Sequence, residues 1–301
     1  MNLRQLEYLL AVARSGSFTA AAVALGVAQP TLTKSIRALE QELDIEVFER
    51  LPRGVALTPF GAALRRHAER VSLQVQDAVD EIAALRGAAS GLVSIGAGPA
   101  WLRRHLPEAV AHTMGANPSL RVHVLGGFDD ALLKALRGGE LDFVVAELPS
   151  PETAADLRIR ALSFDTLGAC CRAGHTLTGR RQIPLKDLLD FPWVMPPHRT
   201  RAQRRLNALF VAADLPPPRV AVETESMAFL MQALLHSDAI TFTVSTTLQS
   251  SEAEGLVMLD VPALAAGRQA GIITRQDGWL SPGALVIIRE LEAICAAHPN
   301  N

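Results

Sequence analysis

Along the first sixty residues, hydrophobic positions recur every three or four residues, which is the spacing of helices. The pattern predicts a helix over 3–13, ended by the Ser-Gly-Ser sequence at 15–17 that also supplies an N-cap for the next helix. A second short helix is predicted over 18–25 and ends at Gly26. A third is predicted over 29–43, with proline tolerated in its first turn. Two short helices around a tight glycine turn, followed by a third, are typical of a helix-turn-helix.

The next segment contains two short strand-like pieces and then one long helix. Apolar stretches at 47–48 and 55–57 flank the turn sequence Pro-Arg-Gly, which predicts a two-stranded wing. The long helix is predicted from Pro59 to about Arg86, and its apolar positions indicate a coiled-coil seam: 60, 64, 68, 71, 75, 78, 82 and 85. A helix with one apolar stripe needs a partner, and a second copy is the simplest. Gly-Ala-Ala-Ser-Gly at 87–91 is predicted to be a hinge.

From residue 92 onwards, predicted strands alternate with predicted helices. This alternation is typical of a doubly wound α/β fold with parallel sheets, in which ligands bind at the carboxyl ends of the strands. About 210 residues follow the hinge, enough for two lobes at the usual domain size of about 100–150 residues.

Composition excludes some classes of protein and leaves DNA binding open. Hydrophobic residues make up 49% of the 301 residues and charged residues 20%, which excludes a disordered chain. Lys and Arg total 29 against 31 Asp and Glu, so the net charge of −2 argues against a strongly basic DNA-binding protein. The first ninety residues are balanced as well, with ten charges of each sign. Any DNA binding therefore depends on where the cations lie, with a modest non-specific component.

The number of cysteines and the hydropathy of the chain indicate the cellular location. Three cysteines, at 170, 171 and 295, are too few for a disulfide framework and lack Cys-x-x-Cys spacing, which favours a reducing compartment. The sequence has no secretory signal pattern and no run of about 18 uncharged apolar residues. We therefore expect a cytoplasmic protein with no membrane partner.

Enzyme motifs are absent from the sequence. Gly96-Ala97-Gly98 follows a strand, but Trp101 stands where a dinucleotide fingerprint has its third glycine, and neither G-x-S-x-G nor a P-loop lysine occurs. The eight histidines lack ligand spacing. We expect no catalytic residue, metal or cofactor. The arginines at 199, 201, 204 and 205 fit a solvated helix face, with a phosphate patch as the alternative.

The polar face of the third predicted helix carries side chains that suit DNA. Glutamine and threonine hydrogen-bond base edges in the major groove, while lysine and arginine bind guanine or phosphate. The candidates are Gln29, Thr31, Thr33, Lys34 and Arg37 on the helix, with Arg50 and Arg53 on the wing. The alternative is an ordinary helical bundle with a solvated polar face, and these residues alone do not decide between the two.

The continuous stretch from Leu3 to Gly61 resembles the N-terminal domain of LysR-type transcriptional regulators. The likeness includes the paired alanines, the Gln-Pro that opens the third helix, the I-R-x-L-E sequence and the R-G-V-x-L-T-P-x-G wing. Beyond the hinge, LKALRGGELDFVVAE and R-x-G-H-x-L are similar to the family's effector domain. The resemblance implies a multidomain α+β protein: an N-terminal winged helix-turn-helix, a long linker helix and a C-terminal two-lobed α/β periplasmic-binding-protein-like effector domain.

For DNA, the resemblance implies contacts from Gln29, Pro30, Thr31, Thr33, Lys34, Arg37, Arg50 and Arg53. It also implies a homotetramer, built as a dimer of dimers, on an interrupted palindromic operator in double-stranded DNA, with RNA polymerase as a further candidate partner. Two positions depart from the family pattern. Ala28 replaces a serine that caps the third helix, and Asp44 replaces the glycine at its end, which puts the geometry of that turn in question.

For the C-terminal part, the resemblance implies two crossing strands, near 158–164 and 263–270, and a small organic effector bound between two lobes. The domains are then 1–58, 59–90 and 91–301, with lobe I at 91–161 and 268–301 and lobe II at 162–267. The implied effector-binding residues are Gly98, Pro99, Ala100, Trp101, Phe128, Asp129, Arg199, Thr200, Arg201 and Ser226.

The effector class follows from a few of these positions. Arg199 or Arg201 would clamp a carboxylate. Trp101 and Phe128 suit stacking on a ring, although packing within the fold accounts equally well for Trp101. Similarity to regulators of galactose-binding-protein and aromatic-catabolism genes points to a sugar or an aromatic acid.

Two other classes of protein are alternatives to a regulator. A solute-binding protein for transport shares the lobed fold, but the first ninety residues have no place in one. An enzyme with an appended regulatory domain would need a catalytic constellation, and the sequence offers none.

Overall fold

The computed structural model describes residues 1–86, 92–198 and 200–298, and the chain divides into two compact units with the boundary after Arg86. The predicted hinge at 87–91 lies outside the described residues. Within the described ranges, none of the helices combines the length and the apolar character needed to cross a membrane.

The first unit contains four helices and a two-stranded sheet. Its elements are α1 (Leu3–Ser15), α2 (Phe18–Leu25), α3 (Gln29–Leu43), β1 (Phe48–Arg50), β2 (Val55–Leu57) and α4 (Pro59–Leu85). Asn2 and Ser17 cap α1 and α2, and the left-handed Gly16 and Gly26 end them. Leu9, Leu32 and Ile36 of the first three helices are fully buried in the shared core.

Helix α3 begins and ends without the residues that usually perform these roles. Ala28 precedes it and makes no side-chain cap. Asp44 follows it with φ 51° and ψ 44°, the left-handed conformation that glycine usually adopts. The amide of Ile45 donates to the carbonyl of Glu40 at 3.1 Å, as in a normal helix end. The turn therefore keeps its geometry, and Asp44 adopts it at a cost in backbone strain.

The wing is fixed to the end of α1. Strands β1 and β2 pair antiparallel, with Phe48 opposite Leu57. The amide of Val55 donates to the carbonyl of Gly16 at 2.9 Å. Gly54 has φ 88°, and a Cβ there would lie 2.4 Å from the carbonyl oxygen of Gly16. Only glycine allows this close approach of wing and helix.

Helix α4 divides into two parts by burial. Near its start, Leu64 and Ala68 pack into the core of the first unit. Beyond them, the apolar side chains of the predicted seam are exposed, from 38% at Val71 and 53% at Ile82 to 82% at Leu85. The seam predicted from residue 60 is therefore available to a partner only from Val71 onwards, apart from the exposed Phe60.

The second unit contains one seven-stranded sheet, a two-stranded sheet and five helices among the described residues. Its strands are β3 (Leu92–Ala97), β4 (Arg121–Gly126), β5 (Phe143–Glu147), β6 (Leu157–Arg172), β7 (Trp193–Met195), β8 (Val220–Glu223), β9 (Thr241–Val244), β10 (Leu256–Met258) and β11 (Ala266–Arg275). Its helices are α5 (His105–Ala116), α6 (Asp129–Arg137), α7 (Arg201–Ala212), α8 (Met227–Leu235) and α9 (Pro282–Ala297). Short 3-10 turns, such as Trp101–Arg103 before α5, connect several of them.

The expectation of parallel sheets is only partly correct. Strand β3 pairs parallel with β4 and β5, and β7 pairs parallel with β8. Strand β11 pairs antiparallel with both β5 and β6, and β6 pairs antiparallel with β9 and β10. The reason is topological: β6 leaves the first lobe and β11 returns to it, so the two run in opposite directions.

Strands β6 and β11 join two separate cores. The first core lies on both faces of β3 and β5, under α5, α6 and α9. The second packs the far half of β6 with β9, α7 and α8. The predicted crossing at 158–164 falls within β6, whereas of 263–270 only the part from Ala266 is strand, because Pro262–Leu264 forms a 3-10 turn.

Candidate functional site

The first candidate site is the polar face of α3 together with the wing. Leu32, Ile36 and Leu39 are buried on one side of α3. The opposite side presents the residues predicted for DNA: Gln29, Pro30, Thr31, Lys34 and Arg37 are exposed, and Thr33 is half-buried with its hydroxyl 3.3 Å from Gln29 Nε2. The amphipathic spacing thus fixes which side chains face outward.

The wing adds two cations in the same unit. Arg50 ends β1 and Arg53 lies in the turn, and both are exposed. Among the described residues, neither these two nor Lys34 and Arg37 take part in a salt bridge, so their charge is available to phosphates. No acidic residue lies in the first turn of α3, which leaves the positive end of the helix dipole without a nearby carboxylate.

Glu40 has a structural role that the sequence pattern did not indicate. Its Oε1 accepts hydrogen bonds from the amides of Val47 at 2.9 Å and Phe48 at 3.4 Å. The glutamate of the I-R-x-L-E sequence therefore connects α3 to the first strand of the wing.

The second candidate site is a cleft between the two lobes of the second unit, made of two connected chambers. The chamber lined by Glu147 and Arg268 is called the inner one and the other the outer one; they span about 660 Å³ and about 1280 Å³, volumes that include space open to solvent. Pro99, Phe128, Thr200 and Met227 line both chambers and so lie where they meet. The cleft lies at the carboxyl ends of β3 and β5, where an α/β sheet binds its ligands.

The structure brings most of the predicted effector residues together. Gly98, Pro99, Ala100, Trp101, Phe128, Asp129 and Thr200 line the inner chamber. Arg199 lies outside the described residues. Ser226 differs from the expectation: it lines neither chamber, and its hydroxyl caps α8 by accepting from the amide of Phe229 at 3.2 Å.

Arg201 also differs from the expected carboxylate clamp. Its Nη1 donates to the main-chain oxygens of Glu147 at 3.3 Å and Leu148 at 3.0 Å. Its Nε lies 4.0 Å from a carboxylate oxygen of Asp129. Burial raises the pKa of Asp129, Arg201 opposes this and Glu147 adds to it. Arg201 thus connects α7 to the first lobe within the protein itself.

Trp101 contributes mainly to packing. It is 5% exposed, belongs to the core of the first lobe and meets His105 edge to face at 6.0 Å between ring centroids. Part of its surface lines the inner chamber. Phe128 is half-buried between the two chambers and has more of its ring available to a ligand.

Several lining residues were not predicted from the sequence. Glu147, Arg268 and the threonines at 241, 243 and 247 line the inner chamber. Glu147 is the last residue of a buried strand, a position that could have marked it as a candidate. Arg268 lies on the returning strand, 121 residues from Glu147, and no local pattern connects the two.

The cysteines form no site. All three are free and buried. Burial raises the pKa of Cys170 to about 12 and that of Cys295 to about 11, and it also raises the pKa of Cys171. Among the residues that the structure describes, no group of three metal-ligating side chains is found.

Comparison with known families covers nearly the whole chain. Residues 3–62 match the family described as bacterial regulatory helix-turn-helix protein, lysR family. Residues 86–296 match the family described as LysR substrate binding domain. The first match lies within the first compact unit, and the second begins at its last residue and covers most of the second unit.

Individual proteins give the same result. The chain is 30% identical to the HTH-type transcriptional regulator PcaQ of Agrobacterium fabrum, covering 92% of this chain and 89% of the relative. It is 28% identical to the HTH-type transcriptional regulator GbpR of Azospirillum brasilense, covering 97% and 86%. In fold it resembles a full-length OxyR variant from Pseudomonas aeruginosa, with a TM-score of 0.64, 21% identity and coverage of 97% and 94%. It also resembles full-length CbnR in complex with target DNA, with a TM-score of 0.59, 21% identity and coverage of 97% and 99%.

Proposed function

The chain belongs to the LysR family of bacterial transcriptional regulators, and we propose that its DNA-binding surface is formed by the exposed faces of α3 and the wing. It is a DNA-binding regulator, not an enzyme, with a helix-turn-helix domain and an effector-binding domain. Members of the family bind operator DNA and small-molecule effectors.

One observation carries the proposal for DNA: the exposed side of α3 and the wing present four cations that have no acidic partner among the described residues. Gln29, Thr31 and Thr33 then read base edges in the major groove, and Pro30 sets the start of the helix. Lys34 and Arg37 extend this face, and Arg50 and Arg53 bind phosphates or the adjacent groove.

The exposed seam of α4 supports assembly. Apolar side chains from Val71 to Leu85 are open to solvent, which is costly for a helix without a partner. Pairing of two copies along this stripe places two reading helices on one duplex, which suits an interrupted palindrome. A dimer of dimers extends the same arrangement to a tetramer. We propose that the regulator acts in the cytoplasm, with operator DNA and RNA polymerase as its partners.

We propose domain bounds of 1–58, 59–90 and 91–301. Lobe I comprises 91–161 and 268–301, and lobe II comprises 162–267. The effector binds in the cleft between the lobes, in contact with Gly98 to Trp101, Phe128, Asp129 and Thr200. Occupation of the cleft shifts the equilibrium between lobe arrangements, and with it the activity of the bound regulator.

Binding of full-length protein to a labelled duplex selected from random DNA tests the reading surface. Lys34→Ala and Arg53→Ala each weaken binding by about tenfold or more and reduce the slope of log affinity against log salt by about 1 per lost phosphate contact. Lys186→Ala is the matched control, because Lys186 is an exposed cation of the second unit. A Lys34→Ala, Arg53→Ala double variant that binds as tightly as the control contradicts the assignment of this surface.

A further inference from the structure

Glu147 occupies the floor of the cleft, where it holds two arginines. It ends β5 and is only 7% exposed. Its Oε1 accepts from Arg205 Nη2 at 2.8 Å, and its Oε2 accepts from Arg268 Nη1 at 3.2 Å. Arg205 lies on α7 and Arg268 on β11, so one carboxylate joins three elements of the second unit. Each carboxylate oxygen is thus directed at a guanidinium, as the oxygens of a bound ligand carboxylate would be.

The other charges around the cleft floor are matched within the protein. The second Nη of Arg268 donates to Asp165 at 3.3 Å, and Asp165 is buried. Arg201 lies beside Asp129 and donates to main-chain oxygens. Three guanidinium groups therefore face three carboxylates. A further negative charge buried here would find no unmatched cation among the described residues, and an unpaired buried charge is costly.

In two turns that line the cleft, after β3 and at the start of α6, the backbone does not favour an anion. In the first turn of the cleft, Pro99 has no N–H, and the amides of Trp101 and Leu102 donate to the carbonyl of Gly98 at 3.0 and 3.2 Å. The first turn of α6 contains two carboxylates of its own, Asp129 and Asp130, at the positive end of the helix.

Some hydrogen-bonding capacity remains available without an unpaired charge. The hydroxyl of Thr200 is buried, has no partner among the described residues and lines both chambers. Arg268 Nε is also buried without an acceptor in the described part of the chain, and the charge of its guanidinium is already matched by Glu147 and Asp165. These donors suit a neutral oxygen acceptor, such as a hydroxyl, an amide or a ring oxygen.

We propose that Glu147 is a built-in anion that takes the place of a ligand carboxylate, so that the cleft selects uncharged, oxygen-bearing effectors. The proposal rests on the proposed function, since it names the ligand class of the same cleft. Of the two classes indicated by sequence, it favours a sugar or another neutral molecule over an aromatic acid. Glu147 is a specificity-determining residue in this arrangement.

Rescue with small carboxylates tests the proposal. Glu147→Ala leaves a space between two guanidinium groups that acetate fits. We expect acetate to raise the melting temperature of full-length Glu147→Ala with an apparent affinity at least tenfold higher than that of acetamide, at constant ionic strength. The wild-type chain and the control Glu140→Ala, which removes an exposed glutamate of the same lobe, show no such preference.

Two further arms keep the test decisive. If Glu147→Ala does not fold in plain buffer, acetate should restore its folding at a concentration at least tenfold lower than acetamide, and equal restoration by the two, or none by either, overturns the proposal. A folded variant with no preference for acetate overturns the proposal. Saturable stabilisation of the wild-type chain by benzoate or acetate that is lost in Arg268→Ala also overturns it. These melting curves need no DNA, so failure to bind any duplex refutes the proposed function separately.

Discussion

Replacement of Asp44 by glycine should stabilise the first unit, because Asp44 has a left-handed backbone at the end of α3. An L-residue in this conformation costs about 1–2 kcal/mol, and aspartate lies at the low end. Glycine removes that cost but loses more chain entropy on folding, about 0.5–1 kcal/mol. The side chain of Asp44 is exposed, so no packing is lost. The net gain is therefore up to about 0.5 kcal/mol.

Gly26 is the matched control at the end of α2. Its φ of 64° and ψ of 31° are close to those of Asp44, and an added Cβ would have no heavy atom within 4 Å. Gly26→Ala therefore measures the backbone cost alone and should destabilise by about 1 kcal/mol. In a unit of this size, the melting temperature should rise by up to about 2–4 °C in Asp44→Gly and fall by about 4–8 °C in Gly26→Ala.

Tryptophan fluorescence would not report on the first unit, because all three tryptophans, at 101, 193 and 279, lie outside it. Hydrogen-exchange mass spectrometry on the full-length chain is therefore the suitable assay. Peptides that cover α2 and α3 report the free energy of opening of this region. Opposite signs for the two variants support the reasoning. Faster exchange in Asp44→Gly, or unchanged exchange in Gly26→Ala, refutes it.

Three other outcomes are expected from the structure. Val71→Asp should dissociate dimers in sedimentation, whereas Ser72→Asp, about a quarter turn away on the same helix, should not; equal masses for the two would contradict the seam. Cys170 and Cys295 should not react with a thiol reagent at pH 8 in the native protein and should react after unfolding, because burial raises the pKa of their thiols to about 12 and about 11; mass spectrometry of the labelled protein decides. Burial raises the pKa of Asp129 above its ordinary 3.8, so its contribution to stability is complete below that pH and is lost as the pH rises through the raised pKa. Asp129→Asn should therefore melt above the wild type at pH 7, with the gap narrowing towards pH 4, and a gap that widens on acidification would contradict this.

The helices of the first unit could be predicted from sequence because their signals are local. Apolar spacing places α1 to α3 within a few residues of their observed bounds, and the Ser17 cap of α2 and the glycine ends of α1 and α2 sharpen the first two. Asp44 shows the limit of this reasoning: the missing glycine cast doubt on the turn, yet the backbone hydrogen bond from Ile45 to Glu40 is kept. Tertiary packing decides the conformation there, and the preference of one residue does not.

The cleft could be predicted only in outline. The turns after β3 and β4 are recognisable, and Gly98 to Trp101 and Phe128, which only the family resemblance implied, line the cleft. The partners of the charges are not recognisable, because Arg205 and Arg268 reach Glu147 from 58 and 121 residues away. Strand direction could not be predicted for the same reason, since it depends on parts of the chain that are distant in sequence. Alternation predicts strands and helices, but β11 returns antiparallel to β5 because of the topology.

Selection of DNA from a random library by the full-length protein shows whether α3 and the wing read an operator. We expect enrichment of two inverted half-sites separated by a spacer, with loss of enrichment when Lys34 and Arg53 are both replaced by alanine. Recovery of no common sequence by the wild-type chain, or of the same sequences by the double variant, would contradict it.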